Sequence, residues 1–152
     1  MRRCLTVLAL VWLAFVIIFP FAAAGDTSFL HITFHVIQLM LVVPALWLVN
    51  RVRVDAVTRP VRWTATLMIV TLIGAIAGIV GEMAVAVARL AHDGWVDRDT
   101  ADLWEHGPHV TISTLTIPSM MLSMLLSVVL VVVMALGRRS SGAARSRESV
   151  SR

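Results

Sequence analysis

Of 152 residues, 59% are hydrophobic and 14% charged, with a mean hydropathy of +0.88, a balance that excludes a water-soluble domain of this size and places the chain in a membrane. The 13 basic residues, all Arg, outnumber nine acids for a net charge of +4. They sit at separate membrane edges rather than along one stripe, which argues against a nucleic-acid partner, and the single Cys4 excludes an internal disulfide and paired-thiol redox chemistry.

Four apolar stretches, residues 5–21, 29–49, 63–90 and 110–136, are each about long enough to cross the hydrocarbon, where only helices satisfy the backbone. The expected fold is therefore an all-α integral membrane four-helix bundle over residues 1–137, followed by a basic tail, 138–152, whose Arg, Ser, Gly and Ala content reads as disordered. Arg2 and Arg3, the four arginines between the second and third stretches, and the five after the fourth leave only Arg89 and Arg98 for the other side. The positive-inside rule then makes both termini cytoplasmic, in a multi-pass protein of the cell membrane.

The first stretch has a second reading. Arg2 and Arg3, the apolar run to Phe19, Pro20 and the Ala22–Ala23–Ala24 triplet compose a secretory signal with a cleavage site. Removal would leave three spans in the same orientation.

In the second span His31, His35 and Gln38 share one helical face through spacings of four and three. Lipid is a poor neighbour for them, so they are expected to face the interior, where polar side chains mark a functional site. In the third span Gly74, Gly78 and Glu82 recur every four residues, which carries the carboxylate into a close helix contact. An ionised acid there needs a proton, a basic partner or a metal.

The fourth span is entered through Glu105, His106, Gly107, Pro108 and His109. Proline suits a first helical turn, and Ser113, Thr116, Met120 and Ser123 continue below His109 on one face. Pro118 is expected to bend this helix, with the Thr114 hydroxyl covering the freed carbonyl. Met120, Met121 and Met124 are core fillers with a secondary reading as soft copper guides.

All five histidines and most acids fall on the predicted outer side. His31, His35, Glu82, His106 and His109 reach similar depth, with Asp102 one turn before His106. Imidazoles on facing helices with a carboxylate between them suit copper or zinc, and Asp102 is a ligand or an orienting acceptor. The expected metal set is His31, His35, Glu82, Asp102, His106 and His109. No His-Glu-x-x-His, Gly-x-Ser-x-Gly or phosphate-loop signature is present.

The stretch from His31 to Leu48, His-x3-His running through Leu, Met and Val into Pro44, resembles the corresponding helix of CtaG-type membrane proteins linked to copper insertion into cytochrome c oxidase. The resemblance covers about one helix; it implies copper handling at the outer leaflet, with His31 and His35 matching that family's histidines. Fragments of the histidine boxes of membrane di-iron enzymes also come to mind, but those need more histidines, on the cytoplasmic side.

The leading expectation is a membrane protein that binds a transition metal, copper first, for metal handling or within a larger metalloenzyme, and that does not act as a catalyst alone. Other membrane subunits or further copies of the chain are expected beside it in the bilayer. The alternatives are a haem b electron carrier with axial histidines from the second and fourth spans, a structural accessory subunit, and a proton-coupled transporter using Glu82.

Overall fold

A computed structural model describes the backbone of residues 1–23, 28–93 and 107–150, and the side chains of residues 1–20, 29–92 and 107–138. Among the described residues five helices follow one another: α1 (Arg2–Val16), α2 (Ile18–Ala23), α3 (Ser28–Val54), α4 (Arg59–Asp93) and α5 (Pro108–Val150). Among the described residues there is no strand. Four helical stretches, Arg2–Pro20, Phe29–Val54, Arg59–His92 and Pro108–Arg138, are long and apolar enough to cross a membrane. Their outward surfaces carry large apolar side chains, Met40 at 69% and Val70 at 63% exposure among them, as a lipid solvent permits and water does not.

Local chemistry sets the breaks. Pro20 cannot donate to the carbonyl of Val16, and the first span divides there into α1 and α2. The connection between α3 and α4 is only four residues long, 55–58, which makes those helices antiparallel neighbours. Gly107 sits at φ 95°, a conformation glycine adopts without strain. It turns the chain into α5, with Pro108 at the first helical position and the Thr111 N–H on the Gly107 carbonyl.

The long helices close a ring in which α1 packs on α3, α3 on α4, α4 on α5, and α5 back on α1. Arg3 pairs with Asp55 of the α3–α4 connection, and Cys4 and Arg138 line one cavity with them. The start of α1, the α3–α4 turn and residue 138 of α5 therefore share one end of the bundle. The starts of α3 and α5 share the other.

The buried residues explain the packing. On α1 they are Cys4, Val7, Val11 and Ala14; on α3 they include His31, His35, Gln38, Val42, Ala45, Val49 and Val52; on α4 they include Val61, Ala65, Met68, Leu72, Ala75, Ile79, Glu82 and Ala86. On α5 the run from Thr116 is Met120, Ser123, Ser127 and Leu130. Each series steps by alternating threes and fours, the 3.5-residue repeat of helices packed knobs-into-holes with a left-handed supercoil. The polar residues of α3 and α4 occupy core positions of this repeat, and His109 lies one heptad before Thr116.

The backbone of α5 continues as helix to Val150. One detail departs from sequence expectation. The Thr114 hydroxyl donates to Thr111 O at 2.6 Å, not to the carbonyl that Pro118 leaves free, because that nearer oxygen lies within its reach.

Candidate metal centre

At the end of the bundle where α3 and α5 begin, three imidazoles and a carboxylate meet. His31 and His35 are one turn apart on α3, and His109 enters from α5 through the Gly107–Pro108 turn. His31 Nε2 lies 2.9 Å from His35 Nε2 and 2.9 Å from His109 Nε2. The rings approach edge-on, with centroids 4.6 and 4.8 Å apart. From α4, Glu82 Oε2 lies 3.3 Å from His109 Nε2 and 3.6 Å from His35 Nε2. One donor atom from each of the four residues fits within 4.8 Å, and all four residues are buried.

The carboxylate is placed by packing. A Cβ on Gly78 would stand 3.0 Å from Thr116 Cα, so α4 and α5 approach this closely only because glycine lacks one. One turn further along α4, Glu82 Oε1 accepts a hydrogen bond from the Thr116 hydroxyl. Gly74 against Ser119 and Gly81 against Ile112 extend the same contact. The acid is thereby held by one oxygen, with the other turned toward the imidazoles.

A second anchor fixes the proton on His35. Gln38 Nε2 donates to Ala14 O of α1 at 3.2 Å, so its amide oxygen is the atom 3.0 Å from His35 Nδ1. An oxygen accepts only, and therefore Nδ1 carries the proton and Nε2 of the neutral ring presents a lone pair to the cluster. This is the tautomer that metal ligation through Nε2 requires. One proton on His31 Nε2 fully serves only one of its two 2.9 Å neighbours. A cation at the centre would take a lone pair from each of the four donor atoms that face it.

The four donors could hold a metal ion. Metal–nitrogen bonds of about 2.0–2.1 Å in a tetrahedron space the donors about 3.3 Å apart; four of the six separations here are 2.9, 2.9, 3.3 and 3.6 Å, and the set as a whole spans 4.8 Å, so the side chains would draw in around an ion. Three imidazoles with one carboxylate suit zinc, copper, iron or nickel. Beside His35 and Glu82 lies a cavity of about 50 Å³, walled by Phe15, Phe34, Gln38, Thr116 and Met120, large enough for a water and far too small for a porphyrin. The direct His31–His109 contact also leaves no room for a macrocycle between α3 and α5, so an ion suits the site better than the haem considered as an alternative.

Comparison with family models, curated proteins and solved structures finds no match. The chemistry is accordingly read from this chain's own residues.

Of the six residues expected at a metal, the structure brings together His31, His35, Glu82 and His109. His106 and Asp102 lie outside the described residues. Among the methionines, Met120 is buried against the cavity, while Met121 is 58% exposed on the outer surface, pointing away from any soft-ligand path. Two roles escape sequence reasoning: Thr116 as donor to Glu82, and Gln38 as the group that sets the His35 tautomer. The heptad spacing of His31, His35 and Gln38 on α3, and of Ile79, Glu82 and Ala86 on α4, was the available signal for these contacts.

Proposed function

We propose that the protein is a multi-pass cell-membrane protein that binds one transition-metal ion through His31, His35, His109 and Glu82, with copper the foremost candidate. The observation that carries this reading is the convergence of three Nε2 atoms and a carboxylate oxygen from three different helices in a buried pocket. Burying so many polar groups among apolar helices is costly unless they are mutually satisfied. A bound cation satisfies them together.

Divalent copper tops the affinity order for nitrogen donors, and the resemblance of the His31–His35 helix to CtaG-type proteins points the same way. In this reading the arginine-rich end is cytoplasmic and the site lies toward the outer leaflet, where an ion from the extracytoplasmic side reaches it. The protein then hands metal on, or serves within a larger membrane assembly, with neighbouring subunits on its apolar exterior. His106 is proposed as a further ligand, and Asp102 as a ligand or an orienting acceptor.

The test is elemental analysis of detergent-purified protein after exposure to copper(II) or zinc(II) and removal of loosely bound metal. The expected result is one tightly held ion per chain, with copper preferred, lost in His35→Ala and in Glu82→Ala. A folded wild-type protein that retains no metal, or variants that retain as much as wild type, would overturn the proposal. Preference for zinc would keep the site and refute copper.

A further inference from the structure

The end of the bundle away from the histidines holds a larger cavity of about 450 Å³, between the start of α1, the α3–α4 connection and α5 near residue 138. Arg2, Arg3 and Arg138 line it, together with Cys4, Val52 and Met134. Cys4 and Val52 are buried, giving the cavity an apolar floor beneath a cationic rim. Its lining includes one acid, Asp55, and that carboxylate is already paired with Arg3.

The arginines at this end have different employments. Arg53 donates to Asn50 Oδ1, Arg62 donates to Ala56 O, and the Arg51 guanidinium lies over the Trp47 ring. Among the described residues, Arg2 and Arg138 have no side-chain hydrogen-bond or ion-pair partner. Two guanidiniums thus face one cavity from the first and last helices of the ring, which no loop joins directly.

We propose that this cavity binds the phosphate group of an anionic phospholipid, with Arg2 and Arg138 holding the phosphate oxygens and the Cys4–Val52–Met134 floor receiving the apolar part next to it. Guanidinium pairs phosphate through two parallel charge-assisted hydrogen bonds. The cavity lies at the end of the spans, the level at which headgroups sit. Free phosphate offers the same oxygens but leaves the apolar floor unfilled, so the lipid is the better occupant. Bound there, it clasps α1 to α5 and reinforces the contact that closes the ring of helices.

The test uses the full-length protein, purified in a neutral detergent and stripped of lipid. Thermal unfolding is followed with added phosphatidylglycerol, phosphatidylcholine or inorganic phosphate at equal concentration. Phosphatidylglycerol is expected to raise the midpoint by about 5 °C, and the other two by much less. The rise should vanish in Arg2→Ala/Arg138→Ala and persist in Arg51→Ala/Arg53→Ala, which removes equal charge outside the cavity. Equal rises from the two lipids, a full rise from inorganic phosphate, or equal losses in both double variants would overturn the site. Should Arg2→Ala/Arg138→Ala fail to fold, native mass spectrometry of Arg138→Gln decides: a lower phosphatidylglycerol-bound fraction than wild type supports the cavity, and an equal fraction refutes it.

Discussion

Replacing Gln38 by Leu removes a side chain that grips His35 with one end of its amide and α1 with the other. Leucine fills a similar volume, so the change falls mainly on two hydrogen bonds. The bond to His35 Nδ1 contributes about 0.5–1.5 kcal/mol. Its loss also frees the ring to take the tautomer whose Nε2 bears a proton and cannot ligate. Groups that hold a ligating histidine from behind are worth about 10–100-fold in metal affinity, or about 1.4–2.8 kcal/mol, and the geometry places Gln38 among them. Competition titration against a chromophoric chelator measures the affinity, and a thermal melt shows that the variant is folded. Gln38→Glu keeps an acceptor for the Nδ1 proton and is expected to recover most of the affinity, though not the bond to Ala14. A folded Gln38→Leu protein that binds metal as tightly as wild type would refute the tautomer argument.

Gly78→Ala forces a Cβ to within 3.0 Å of Thr116 Cα; pushing α4 from α5 should cost about 1–3 kcal/mol, read as a lower unfolding midpoint with reduced metal retention. Gly81→Ala meets the side chain of Ile112 rather than backbone and should cost less in the same melt. Thr116→Val keeps the shape and removes the donor to Glu82; a hydrogen bond to a charged acceptor is worth about 1.5–3 kcal/mol, so chelator titration should show weaker binding, and an unchanged constant would remove Thr116 from the site. Metal retention should fall on acidification from about pH 8 to about pH 5, because protons and the ion compete for the same imidazole lone pairs. A flat profile in equilibrium dialysis would mean that the histidines are not ligands.

Much of this architecture was readable before any coordinates. Hydropathy located the four stretches, since a helix is the only way to bury that much backbone in lipid. The face shared by His31, His35 and Gln38 followed from helical periodicity, and Glu82 followed from the glycines one and two turns before it. Periodicity fixes which residues share a face but not which neighbour that face meets. The contacts of Glu82 with Thr116 and of Gln38 with Ala14 therefore depended on the order of the helices around the ring. The 3.5-residue spacing contained more than was taken from it, because it places His31, His35 and Glu82 in the seam before any partner is known.

The seam below the centre also determines how cargo would travel. Beneath Glu82 the core is filled by Ile79, Leu72, Met68, Val42, Val49 and Leu130, all fully buried. The hydroxyls along the way are already engaged, Ser127 donating to Met124 O, Thr71 to Met68 O, and Ser123 lying 2.8 Å from Thr71 Oγ1 across the α4–α5 contact. An ion entering this stretch would exchange three imidazoles and a carboxylate for scattered hydroxyls and the Met68 thioether, at a cost of several kcal/mol. If an ion occupies the histidine cluster, this filled seam offers it little coordination toward the arginine-rich end, and exchange with a visitor at the histidine end is the expected route.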